Sequence, residues 1–141
     1  MTTPTLTPRL VVEGADRAIA FYSDVFSAEL IERYADGEHV VHAALRIGDA
    51  IFSLTEAHPK FNNHAPTQVG GASSMLTLLV DDPDAVAARM VAAGGEVIFP
   101  IADQFYGHRE GRVRDPFGHL WILSKILEEL SPDEIQARMG G

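Results

Sequence analysis

The chain contains no cysteine, which excludes disulfides, thiol nucleophiles and every metal site that depends on thiolate. It also lacks a basic surplus. Eleven Lys and Arg face twenty Asp and Glu, giving a net charge of −9 and a pI near 5.0. Nucleic acid and anionic membrane are therefore not expected as partners, since both require a basic face. No apolar run reaches the ~20 residues that span a bilayer. The opening segment MTTPTLTPRLVVEG has no basic stretch followed by an apolar core, so no signal peptide is expected and the location expected is cytoplasmic. Glycine-rich phosphate loops of the G-x-G-x-x-G or P-loop type are missing, which leaves no indication of a nucleotide cofactor. No G-x-S-x-G elbow or other positioned triad is present either.

What the sequence does contain is one pattern stated twice. A shift of 68 lays Thr7–Ile31 over Met75–Phe99. Leu10 and Val12 then fall on Leu78 and Val80, Asp16 on Asp84, Ala18 on Val86, Leu30 on Ile98, and Leu45-Arg46 on Val113-Arg114. At a shift of 69, Phe52-Ser53-Leu54-Thr55 meets Trp121-Ile122-Leu123-Ser124. Self-similarity at a fixed spacing marks a duplicated supersecondary unit. With 141 residues and 46% hydrophobic content, the chain reads as a single domain, 1–141, holding both copies.

Each copy reads as β-α-β-β-β. In the first module, 1–56, strands are expected at Leu6–Val12, Ala28–Ala35, Val40–Ile47 and Ala50–Glu56. A helix is expected at Ala15–Phe26, where Ile19, Tyr22 and Phe26 form one stripe. Residues 57–73 break all periodicity and read as a linker or binding loop. In the second module, 74–127, strands are expected at Ser74–Val80, Val97–Ile101, Gly107–Arg114 and Leu120–Leu127. Asp82-Pro83 starts its helix and Gly94-Gly95 ends it. A tail, 128–141, carries the capping-box spacing Ser131…Glu134 and reads as a helix that packs on the body or on a partner chain. The fold class is thus α+β, two tandem βαβββ modules plus a tail helix.

The segments AIAFYSDVFSA (18–28) and RVRDPFGH (112–119), with the tail 130–137, resemble the vicinal-oxygen-chelate superfamily. That group contains glyoxalase I, extradiol dioxygenases and bleomycin-resistance proteins; the likeness is strongest to its PhnB-like branch and covers nearly the whole chain. The resemblance implies a curled, eight-stranded mixed sheet around a cleft shared by the modules, and a homodimer. It also implies metal ligands at the start of each module's first strand and on its closing strand. Those positions fall on Thr7, Met75, Ser53 and Ile122. None is a strong ligand for a divalent ion, and the alkyl chain of Ile122 has no lone pair to give. No metal and no other cofactor is expected.

Strand alternation suggests what lines the cleft instead. With Gly48-Asp49 as a two-residue turn, Leu45, Ile47, Phe52 and Leu54 face the helices, and His42, Arg46 and Ser53 face away. Likewise Val113, Trp121 and Leu123 face the second helix. Glu110, Arg112, Arg114, Ile122 and Ser124 face away, joined by Thr7, Arg9, Met75 and Thr77. Phe61, Phe105 and Tyr106, on irregular segments, are placed to edge the opening. Two readings of the arginines stand side by side: recognition of an acidic ligand group, or ion pairs that hold the sheet. The remaining histidines are scattered without metal-ligand spacing, and Asp115 in the DPFG turn is expected to bond its own backbone. The leading expectation is metal-independent binding of a small molecule, such as sequestration of a drug or toxic metabolite in the manner of antibiotic-resistance relatives. The alternatives are a metal-dependent lyase, isomerase or dioxygenase with a relocated site through His42 and Glu56 or Glu110, and a homodimeric housekeeping protein with an unknown ligand or none.

Overall fold

A computed structural model describes residues 1–140. The chain divides into two compact units, Met1–Ala72 and Ser73 onward. The N-terminal unit contains β1 (Arg9–Val12), α1 (Ala15–Val25), β2 (Glu29–Asp36), β3 (His39–Ile47) and β4 (Ala50–Glu56). A 3₁₀ turn (Pro59–Phe61) and a short α2 (Pro66–Val69) follow. The C-terminal unit contains β5 (Met75–Leu79), α3 (Pro83–Ala92), β6 (Glu96–Asp103), β7 (His108–Arg114), β8 (Leu120–Ile126) and α4 (Pro132–Gly140). The eight strands form two four-stranded mixed sheets, ordered β1-β4-β3-β2 and β5-β8-β7-β6. In each, the first strand runs parallel to the fourth and the other pairings are antiparallel. The two βαβββ units expected from the repeat, and the helix after them, are present.

The register reproduces the sequence repeat. Arg9 lies opposite Ser53, and Thr77 opposite Ile122, which are shifts of 68 and 69. The two helices differ in length, eleven residues against ten. Leu30 pairs with Leu45 whereas Val97 pairs with Val113, so the equivalent of Leu30 is Val97 and not Ile98. The slip comes from the shorter second helix, which Gly94, at φ 105°, closes early.

Each sheet buries one face under its helix. In the N-terminal unit Leu10, Val12, Leu45, Phe52 and Leu54 pack with Ile19, Tyr22 and Val25 of α1, all buried. Tyr22 meets Phe52 edge-on at 5.3 Å, the geometry that ring quadrupoles favour. In the C-terminal unit Val113, Trp121 and Leu123 are buried with Val86 and Met90 of α3. The Asp115 side chain organises its turn as expected. Its Oδ1 accepts from the backbone N–H groups of Phe117 (2.8 Å) and His119 (3.0 Å). Its Oδ2 accepts from Trp121 Nε1 at 2.8 Å, tying turn to core.

The helix starts are capped differently. At α1 the Glu56 carboxylate, from the end of β4, accepts from Gly14 N at 3.0 Å and Ala15 N at 2.8 Å. At α3 the local Asp82 side chain accepts from Ala85 N at 3.1 Å. The tail box is formed too: Ser131 Oγ accepts from Glu134 N, and Glu134 Oε1 from Ser131 N, both at 3.2 Å. Arg138 fastens α4 by donating to the Phe105 carbonyl at 3.0 Å and to Glu128 at 2.9 Å.

Candidate functional site

The face of each sheet turned away from its helix carries the polar side chains. In the N-terminal unit they form a chain of contacts. Arg9 Nε donates to Ser53 Oγ at 3.3 Å, and Arg9 Nη2 lies 3.3 Å from His42 Nδ1. An arginine only donates, so Nδ1 accepts, and a neutral His42 carries its proton on Nε2. That nitrogen sits 3.8 Å from Glu32 Oε1. Tyr34 donates to the other oxygen of Glu32 at 2.5 Å and stacks on His42 with centroids 5.7 Å apart. The Glu32 hydrogen bond raises the Tyr34 hydroxyl above its ordinary pKa.

Beside this chain lies a cavity of about 490 Å³. Strand residues Arg9, Val11, Asp36, His39, Val41 and Thr55 line it together with His58, Phe61 and Asn63. The last three belong to a closed loop. His58 and Asn63 exchange backbone hydrogen bonds of 2.8 and 3.2 Å, and Asn62 takes the left-handed conformation at φ 62°. This loop holds Phe61 73% exposed, its ring 4.4 Å from that of His58, which in turn meets His39 at 5.2 Å.

In the C-terminal unit, Glu110 lies opposite Ser124, Arg112 opposite Ile122 and Arg114 opposite Leu120. Tyr106 donates to Glu110 Oε2. Desolvation first, and that bond second, push the phenol up to about 12. His108 Nδ1 is 3.0 Å from Ser124 Oγ and 3.7 Å from Glu110 Oε1. A second cavity, of about 210 Å³, is lined by Phe99, Gln104, Tyr106, Glu110, Gly111, Arg112 and Ile122.

Of the residues expected at a site, Arg9 lines the larger cavity, with Ser53 and His42 in direct contact with it. Tyr106, Glu110, Arg112 and Ile122 line the smaller one. Arg46 and Arg114 reach carboxylates instead, Glu29 at 3.6 Å and Glu96 at 2.9 Å, and so serve the sheet. Ser124 is fully buried against His108. Met75 and Thr77 are exposed on β5. Thr7 precedes β1, because regular pairing begins only at Arg9. His42 and Glu56 are not brought together: Glu56 caps α1, while His42 meets Arg9 and Glu32 on the other face.

Sequence reading missed His39, Val41 and His58. A bulge in β3 between the pairs Tyr34–His42 and Ala35–Val40 inserts one residue and reverses the alternation, carrying Val41 and His39 to the open face. The signal for the loop was His-Pro-Lys-Phe-Asn-Asn, with proline starting a turn and asparagine able to adopt positive φ.

The first- and closing-strand positions hold Arg9, Ser53, Thr77 and Ile122, by register, or Thr7 and Met75 two residues earlier. A guanidinium, hydroxyls, a thioether and alkyl groups do not form a donor set for a divalent ion that prefers imidazole and carboxylate. Among the described residues no three His, Asp or Glu side chains gather into a metal-binding group.

Residues 5–123 match the model of the Glyoxalase/Bleomycin resistance protein/Dioxygenase superfamily. The chain belongs to this superfamily. An uncharacterized protein of Mycobacterium bovis is 40% identical over 141 residues, covering 96% of this chain and 92% of that protein. Among solved structures, TioX from Micromonospora sp. ML1 superposes with a TM-score of 0.69 at 27% identity, over 89% of this chain and all of TioX. The fosfomycin resistance protein FosX from Listeria monocytogenes, solved with Mn(II) and sulfate, gives 0.69 at 18% identity over 99% of both chains. At that identity the FosX likeness speaks for the fold. Among the described residues of this superfamily member, no helix is long and apolar enough to cross a membrane.

Proposed function

We propose that the chain is a metal-independent small-molecule binding protein of the glyoxalase/bleomycin-resistance type, sequestering a drug or toxic metabolite, and that its ligand enters the N-terminal cavity. One observation carries this reading: a cavity of about 490 Å³ on the open sheet face, within the roughly 300–1,000 Å³ of small-molecule sites. Its lining combines two valines, one guanidinium and three clustered rings, which suits a flat, partly apolar molecule with a polar edge. Superfamily membership supports the class, and the donor set at the metal positions supports a mechanism without metal. Binding holds the ligand out of solution, with no bond made or broken.

Native mass spectrometry of the purified protein should reveal a co-purifying organic molecule. Calorimetry with that molecule should show weaker binding by Phe61→Ala, roughly 2- to 13-fold for loss of a ring contact worth about 0.5–1.5 kcal/mol. Arg9→Ala should weaken it further. A stoichiometric metal whose chelation abolishes binding would overturn the proposal, as would wild-type affinity in both variants.

A further inference from the structure

Arg112 differs from the other arginines of its sheet. Arg114 ends on Glu96, and Arg109 ends on Asp84 and Asp103. None of these carboxylates reaches Arg112, and its Nε is sealed from water with no hydrogen-bond partner. A buried donor left unpaired is unfavourable, more so on a charged group. The terminal nitrogens are the donors left to meet the cavity that Arg112 lines.

The side chain is held in this state by the backbone. Pairing between β6 and β7 slips twice, between Val97 and Phe99 and between Phe99 and Ala102, around Pro100, which has no N–H to give a ladder. The bulged strand presses against Gly111, where a Cβ would lie 2.6 Å from the Phe99 carbonyl oxygen. Phe99 is thereby set opposite Arg112, with the guanidinium carbon 5.0 Å from its ring centroid. One face of the cation is stacked, Nε is enclosed, and the far edge is open.

We infer that this cavity is a binding site for a small monocarboxylate. The ligand's carboxylate pairs end-on with the terminal nitrogens of Arg112, and its apolar part lies against Ile122 and Phe99. A planar carboxylate matches the guanidinium fork with two parallel charge-assisted bonds. Two features narrow the class. The cavity holds about 210 Å³, below the range of drug-sized ligands. Glu110, on the same face, accepts from Tyr106 and stands 3.7 Å from His108, and an acidic side chain among the lining residues disfavours a dianion. The site involves no residue of the N-terminal cavity.

The test uses ¹⁵N-labelled full-length protein, with benzoate as probe and benzamide and phenylphosphonate as controls. The Arg112 Nε–H signal, assigned through bonds from its backbone, should shift saturably with benzoate and stay still with benzamide. Phenylphosphonate should bind more weakly than benzoate. Arg112→Lys should weaken benzoate at least roughly tenfold, since an ammonium cannot form the paired bonds. An unmoved Arg112 signal, an equal shift with benzamide, equal or tighter phenylphosphonate binding, or retained benzoate affinity in a folded Arg112→Lys would each overturn the inference. Should that variant fail to fold, the wild-type titrations decide.

Discussion

In the N-terminal unit Arg9 sits opposite Ser53, whereas the matching pair in the C-terminal unit is Thr77 and Ile122. His42 corresponds to Glu110, Ala44 to Arg112 and Ala43 to Gly111, by the shift of 68 that the ladders share. On the helix-facing side the match is chemical as well as positional: Leu10 with Leu78, Leu45 with Val113, Phe52 with Trp121, Leu54 with Leu123. Packing explains the contrast. A helix on a sheet demands apolar volume at fixed positions, while an open face sets no such demand. The same topology therefore presents a His–Arg–Glu–Tyr chain beside a larger cavity in one unit, and an enclosed arginine beside a smaller one in the other.

The largest test of this contrast lies in the core. Phe52→Ala and Trp121→Ala should each lower unfolding free energy by roughly 3–5 kcal/mol, measured by denaturant titration. Trp121→Phe separates the two units. It copies the first unit's solution but removes the donor to Asp115 Oδ2, and should cost about 1–3 kcal/mol for a buried acceptor left short of a partner. Equal stability to wild type would show that the indole–carboxylate bond does not hold the DPFG turn.

Next comes the backbone difference. Ala43 has room for its methyl group, whereas Gly111 faces the bulged β6 with Phe99 O, Ile101 N and Pro100 C all within 2.8 Å of a Cβ position. Gly111→Ala should destabilise by about 1–3 kcal/mol through overpacking. It should also release the Arg112–Phe99 stack, read as a shift of the Phe99 ring resonances. A neutral effect would mean that β6 yields more easily than the ladder implies.

Much of the helix-facing side was legible in the sequence because its signal is periodic: apolar residues at every second strand position, repeated 68 residues on. The open face was legible where alternation ran unbroken, as at Arg112, Glu110 and Ser53. It failed at bulges, which add one residue without any compositional mark and moved His39 and Val41 across the sheet. Residues 57–73 appeared structureless because a 3₁₀ turn and a four-residue helix are too short to show a period. Their order comes from local bonds such as that from Ala65 N to Gln68 Oε1 at 2.9 Å. Neither ion pairing nor its absence is written in periodicity, so Arg46, Arg112 and Arg114 looked alike until their partners were visible.

Alkaline pH should act through Tyr106 of the C-terminal unit, with the raised Tyr34 hydroxyl of the N-terminal unit adding in the same sense. The Tyr106 phenol is raised from 10.0 to about 12, so above pH 10 the unfolded chain loses its proton first. Between pH 10 and 12 the folded state binds more protons, and stability falls as pH rises through that window. Tyr106→Phe should flatten this part of the curve in thermal melts. An unchanged slope would show that the phenol does not stay protonated against Glu110.

The smallest effect is expected where the two units agree. Glu29–Arg46 and Glu96–Arg114 are the same ion pair in equivalent places, at 3.6 and 2.9 Å, and both arginine side chains are more than two-fifths exposed. Water screens such pairs, and holding two long side chains costs entropy, so each should contribute only about 0–1 kcal/mol. Arg46→Ala and Arg114→Ala should therefore melt near the wild type and leave benzoate binding at Arg112 unchanged. The shorter contact gives Arg114→Ala the larger loss of the two, and that loss should shrink in high salt. If Arg114→Ala instead weakened benzoate as much as Arg112→Lys, the carboxylate would be shared between two arginines, and the contrast between the paired and the unpaired cation would collapse.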